Sequence, residues 1–181
     1  MTIGADNAPQ LPSEAPTSAV DQSTPSRLVA ALQRERPDRI TETVDSLGEL
    51  TVIVPAQHIV EVCSYLKNSA DGKFDFLADI CGVDRGLEEE PRFEVNYHLF
   101  STTFHHRLRL KVLLNEDDVR VPTVTGVWRT ANWHERETYD LVGVIFDGHP
   151  DLRRILLPDD WQGHALRKDF PLRGYEPYSL K

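Results

Sequence analysis

The stretch FEVNYHLFSTTFHHRLRLKVLL, residues 93–114, decides the fold. Phe93, Val95, Tyr97 and Leu99 alternate with polar residues, and so do Leu108, Leu110 and Val112 further on. A period of two is the signature of a strand with one buried and one wet face. Two such runs close in sequence pair as antiparallel strands. His105 and His106, adjacent in strand-like sequence, are then predicted to point to opposite faces, which prevents them from ligating one metal together.

A sheet with one dry face needs helices to cover it. Toward the N-terminus, Phe74 to Ile80 reads as a further strand, with Glu88, Glu89 and Glu90 in a solvated loop beyond it. Pro55 opens a helix in which Ile59, Val62, Cys63 and Leu66 recur at spacings of three and four. From Ile40 to Val54 the alternation around Gly48 reads as a hairpin. Thr24 and Pro25 form an N-cap and first-turn pair for a short helix that carries Leu28, Val29 and Leu32 and stops before Pro37. The order helix, two strands, helix, three strands predicts an α+β two-layer sandwich with its helices on one face. Residues 1–24 hold Ala, Pro, Ser, Thr and acids without one aromatic, so they are expected to form a disordered tail before a core domain at 25–143.

On the other side, Val124, Trp128, Ala131, Glu135, Thr138 and Val142 trace a helical stripe that ends at Gly143. Residues 144–181 change character. Pro150, Pro158 and Pro171 break regular structure there, yet Phe146, Ile155, Leu156, Leu157, Trp161, Phe170, Tyr175 and Tyr178 carry much apolar surface. Aromatic and arginine side chains on a proline-stiffened backbone have the composition of a protein–protein contact. This extended segment is expected to bind a partner.

The whole chain of 181 residues has 20 Lys and Arg against 29 Asp and Glu, a net charge of −9. That balance disfavours nucleic acid, which selects basic faces, and a polybasic membrane surface as well. No apolar run approaches the roughly 20 residues of a spanning helix. Cys63 and Cys81 form no C-x-x-C pair, so they read as structural thiols of a reducing compartment, and a cytoplasmic location is the default. Glycine-rich phosphate cradles are missing. His134-Glu135 begins like the zinc motif H-E-x-x-H, but Thr138 stands at the second ligand position. No catalytic, cofactor or metal residue is therefore assigned. Glu135 has two readings: a general acid with a raised pKa in an apolar stripe, or a carboxylate paired to Arg153, Arg154 or Arg167 that locks the helix to the downstream segment. The second is preferred, since the sequence offers no other reacting group.

The run NWHERETYDLVGVIFDGHPDLRRILLPDDWQGHALRKDFP, residues 132–171, holds Trp133, Glu135, Arg136, Glu137, Asp140, Gly143, the Gly148-His149-Pro150 turn, Arg153-Arg154 and the Arg167-Lys168-Asp169-Phe170-Pro171 run. It resembles the signature region of the 30 kDa subunit family of respiratory complex I, the NADH-quinone oxidoreductase. The resemblance implies an α+β subunit of the peripheral arm, on the cytoplasmic side of a bacterial inner membrane and attached to it only through the complex. It implies no cofactor in this chain, with FMN and iron–sulfur clusters in other subunits that pass electrons from NADH to quinone while protons are translocated. The implied partners are the forty-nine-kilodalton subunit, which borders the quinone site, and other peripheral-arm subunits. The interface residues expected are Trp133, Glu135, Arg136, Arg153, Arg154, Arg167, Lys168, Asp169, Phe170 and Pro171. A similar subunit in a membrane-bound hydrogenase or an F420H2- or ferredoxin-linked dehydrogenase is the alternative, and a free-standing enzyme using Glu135 is a third reading.

Overall fold

The structure, a computed structural model, describes residues 24–175. The expected disordered tail, apart from the backbone of Thr24, lies outside the described residues, as does Tyr178. The element order is α1 (Thr24–Glu35), β1 (Glu42–Ser46), β2 (Glu49–Ile53), α2 (Ile59–Asn68), β3 (Phe76–Asp84), β4 (Phe93–Phe100), β5 (Arg107–Leu114), β6 (Arg120–Pro122), α3 (Ala131–Val142) and β7 (Ile145–Asp147). Five strands form one sheet in the order β1-β2-β5-β4-β3. As the alternation predicts, β4 and β5 pair antiparallel, from Phe93 opposite Leu114 to Phe100 opposite Arg107. β2 joins the other side of β5 in parallel. The fold is α+β.

One cross-strand row explains the layering. Val52, Leu110, Tyr97 and Ile80 stand opposite one another across four strands, and all are buried. The row beside it, Thr51, Arg109, His98 and Asp79, faces the other side and is polar. Leu28, Val29 and Leu32 of α1, Ile59, Val62, Cys63 and Leu66 of α2, and Ala131 and Val142 of α3 share one core with the dry face. The hairpin β1–β2 turns on Leu47 and Gly48, both at positive φ (55° and 78°), the twist a two-residue hairpin loop requires. Gly82 lets α3 close on β3: a Cβ there would lie 2.7 Å from Thr138 Cγ2. The Thr138 hydroxyl donates to the Ile80 carbonyl at 3.1 Å.

Four expectations need correction. α3 begins at Ala131 and not at Val124, because the chain leaves β6 and must first turn: the N–H groups of Val127 and Trp128 both donate to the Val124 carbonyl. Val124 and Trp128 are buried all the same, and the Trp128 indole donates to Phe74 O at 3.2 Å. Strand β3 starts two residues later than predicted and runs on to Asp84. β6 and β7, three residues each, form a parallel ribbon with α3 as its crossover, which no periodicity announces. His105 and His106 lie in the β4–β5 connection, with His105 at φ 56°, so the opposite-face argument does not apply to them.

Candidate functional site

Helix α3 turns three charged residues inward, Glu135, Arg136 and Asp140, each buried. Asp140 is the main anchor of the segment beyond the helix. Its Oδ2 accepts three consecutive backbone N–H groups, from Ile155 at 3.0 Å, Leu156 at 2.8 Å and Leu157 at 2.9 Å. Its Oδ1 accepts Arg154 Nη1 at 2.7 Å. Burial works to raise the Asp140 pKa, but these donors outweigh it and hold the carboxyl below its usual range. The Arg154 guanidinium reaches on to the carbonyls of Trp161 and Gly163 at 3.0 and 2.9 Å. Arg136 donates to the carbonyls of Arg153 and Arg154 at 3.1 and 3.0 Å. Arg167 donates to Val142 O at 2.7 Å, with its guanidinium 5.0 Å from the Phe93 ring centre. Gly143, at φ 84°, ends the helix, and a Cβ there would sit 2.5 Å from the His164 ring.

A second anchor lies at the end of β3. Arg92, 2% exposed, donates to both oxygens of the fully buried Asp84 carboxylate at 3.0 and 2.8 Å. The same carboxylate accepts the Lys168 N–H at 2.8 Å, and Asp169 approaches Arg92 at 3.2 Å. Burial would raise the Asp84 pKa, yet Arg92 and the N–H groups of Lys168 and Gly86 bring it down to about 2. Residues 153–175 form a strap that is held to its own domain over 153–169 by two buried carboxylates and four arginines, Arg92, Arg136, Arg154 and Arg167.

Contrary to the expectation from sequence, Glu135 is not paired to Arg153, Arg154 or Arg167. It accepts Val124 N at 2.7 Å and Thr123 Oγ1 at 2.5 Å, and its nearest charged or ionisable neighbour in bonding range is His149, whose Nε2 lies 3.9 Å away. The arginines are occupied with backbone carbonyls and Asp140 instead. Burial pushes the Glu135 pKa up to about 7, against the pull of its two hydrogen bonds. A groove of about 420 Å³ on the outer face of the sheet, with Phe76, His98, Phe100 and Arg107 in its walls, and a hollow of about 90 Å³ between β3 and α3 do not touch this side chain. Among the described residues no group of three or more His, Cys, Asp or Glu could hold a metal ion.

The structure sorts the expected interface residues by depth. Trp133, Arg153, Lys168, Asp169 and Pro171 face outward, Trp133 with 58% of its surface exposed. Phe170, Arg154 and Arg167 are half-buried, and Glu135 and Arg136 are inside. The sequence reading missed the exposed Leu166 and Leu172, because the strap has no period to flag them, and the anchors Asp84 and Arg92, which lie beside β3 and β4, far from the strap in sequence. Trp161 and Phe170 stack at 6.1 Å between ring centres, with Tyr175 edge-on to Phe170 at 5.4 Å. The strap therefore turns much of its polar backbone toward its own domain and Leu156, Leu166, Leu172 and Tyr175 toward solvent.

The α+β domain is thus followed by a strap with its backbone bonded inward and several leucines facing outward. Residues 52–176 match the family model described as respiratory-chain NADH dehydrogenase, 30 Kd subunit. The C-type subunit of NADH-quinone oxidoreductase from Roseiflexus sp. (strain RS-1) is 49% identical over 159 residues, 87% of this chain and 88% of the relative. The C-type subunit numbered 2 of the same enzyme in Rhizobium meliloti (strain 1021) is 50% identical over 153 residues, 78% and 83% of the two chains. Among solved structures, the trypsin-resistant fragment (1-134) of Nqo5 is 40% identical with a TM-score of 0.59, covering 70% of this chain and 99% of the fragment. A chain of the archaeal membrane-bound sulfane sulfur reductase shares the fold at 23% identity, with a TM-score of 0.68 over 88% of this chain and 97% of that one. The chain belongs to the 30 kDa subunit family of the respiratory-chain NADH dehydrogenase.

Proposed function

We propose that this chain is a scaffold of the peripheral arm of a proton-translocating NADH-quinone oxidoreductase, gripped through its strap by the subunit that borders the quinone site. The inside-out strap carries the reading. An unpartnered chain gains nothing from leaving Leu156, Leu166 and Leu172 in water while its carboxylates are spent on holding backbone in place. The same leucines, with Trp133 and Tyr175, have the make-up of an interface core around which Arg153 and Lys168 form a polar rim. On this reading FMN and iron–sulfur clusters belong to other subunits, and the chain performs no redox step. It sits on the cytoplasmic side of the inner membrane through the complex. Among the described residues no helix is long and apolar enough to cross a membrane.

The test replaces Leu156 and Leu172 by Ser in the full chain and co-expresses it with the quinone-site subunit. Because both side chains are exposed, the Tm is expected to stay within about 1 °C of the parent. Co-purification is expected to fall at least tenfold. Undiminished recovery of the quinone-site subunit overturns the assignment of the surface. Mass spectrometry of the native assembly separates this complex from a membrane-bound hydrogenase or an F420H2- or ferredoxin-linked dehydrogenase by its other subunits.

A further inference from the structure

We propose that Glu135 and His149 form a proton-sensitive latch that sets the position of the Gly148–Asp151 turn, whichever subunit the strap meets. The geometry of the imidazole fixes its tautomer. The Asp151 N–H points at His149 Nδ1 from 3.0 Å, so Nδ1 is an acceptor and the ring proton sits on Nε2. That Nε2–H stands between two acceptors, the Asn132 carbonyl at 3.3 Å and Glu135 Oε2 at 3.9 Å. Both His149 and Glu135 side chains are fully buried, so water does not arbitrate between them.

The carboxyl group can exist in either form without an unpartnered hydrogen. As an acid, Oε2–H donates to Thr123 Oγ1 at 2.5 Å, and the Thr123 hydroxyl turns to Thr125 Oγ1 at 3.0 Å. As an anion it accepts from Thr123 and Val124 and has lone pairs to spare. An ionised carboxylate is a stronger acceptor than a carbonyl. Loss of the Glu135 proton therefore draws Nε2–H from Asn132 O to Oε2, rotates the ring and pulls Nδ1 away from the Asp151 amide. One proton leaves to solvent, and no covalent bond changes other than that O–H.

Other ionisable groups around the site do not compete. Cys63 of α2 and Tyr97 of β4 both sense Glu135, and burial raises both pKa values, so they stay neutral. Burial lowers the pKa of His149, with the charge of Arg136 acting the same way and the Asn132 bond and the charge of Asp151 opposing, so the imidazole is neutral where Glu135 titrates. The moving turn leads directly into Arg153 and Arg154, whose carbonyls Arg136 holds. Protonation at Glu135 is thereby linked to the start of the strap.

The experiment is an NMR titration of the isotopically labelled full chain from pH 5.5 to 8.5. The Glu135 carboxyl carbon, the Val124 and Asp151 amides and His149 Nε2 are expected to move together, with one midpoint near pH 7. In His149→Gln the Val124 amide still titrates and the Asp151 amide stays still. In Glu135→Gln the transition near pH 7 is lost from all remaining signals. A Glu135 carbon already fully ionised at pH 5.5, or an Asp151 amide that stays fixed in the parent while Val124 moves, overturns the latch. Should Glu135→Gln fail to fold, the carboxyl carbon in the parent and the His149→Gln comparison decide.

Discussion

Replacing Asp140 by Ala removes the acceptor of three backbone N–H groups and of the Arg154 guanidinium in one step. Deleting one partner of a buried ion pair costs about 3–5 kcal/mol, since the other charge is left without compensation. The strap donors are only half-buried and regain water, so the lower figure of about 3 kcal/mol is taken. That loss falls on strap docking, because the hydrogen bonds of the Asp140 carboxylate go to residues 154–157 of the strap. At about 1.4 kcal/mol per factor of ten, the open population of the strap rises by roughly a hundredfold. Trypsin reads that population at Arg153, Arg154, Arg167 and Lys168 when opening is fast compared with cleavage. First-order loss of the full-length band is expected to speed up by the same factor while far-UV circular dichroism is unchanged. Glu137→Ala, an exposed acid on the same helix, serves as the control and should leave the rate alone. A cleavage rate for Asp140→Ala within threefold of the parent would refute the idea that this carboxylate holds the strap.

Gly143→Ala forces a side chain onto a left-handed residue and against His164, and should cost about 1–2 kcal/mol or more in urea unfolding, with faster proteolysis of the strap. Gly82→Ala drives a methyl into Thr138 and Val142, so thermal unfolding should drop by an amount matching about 1–3 kcal/mol of overpacking. Asp84 has a folded pKa near 2 against an ordinary 3.8, so its contribution is present above about pH 4 and lost as the pH falls toward 2; Asp84→Asn should flatten that part of an acid-unfolding curve. Glu135 behaves in the opposite sense. Its folded pKa near 7 exceeds its ordinary 4.5, so its contribution is complete below about pH 4.5 and lost as the pH rises through 7, a decline of about 3 kcal/mol that Glu135→Gln should remove.

The sheet was legible because its face alternates: Phe93 to Leu99 and Leu108 to Val112 needed only the period of two. The helix face of Ile59 to Leu66 was legible for the same reason at a period near 3.6. β6 and β7 are too short to show a period, and their pairing depends on α3 bringing the chain back. His105 and His106 failed as strand residues because a connection of six residues between two strong strands leaves no trace in residue type. The carboxylates show a different limit. Glu135 and Asp140 both lie in the run that carries the resemblance, but which of them meets an arginine depends on the path of residues 144–157, and that path is set by hydrogen bonds to main chain that no side-chain pattern encodes. Asp84 lies 84 residues before the Lys168 N–H it receives, a distance at which sequence spacing carries no information.

The seat of β5 between β2 and β4 has a consequence for how the polypeptide is made. Thr51 waits for Arg109, 58 positions later, before the hairpin β1–β2 has a neighbour. A two-stranded hairpin by itself is marginal in water. At the usual pace of about 5–20 residues per second, a ribosome leaves it alone for several seconds. Codon changes that slow elongation between those two positions should lengthen that interval and raise the demand on nascent-chain chaperones.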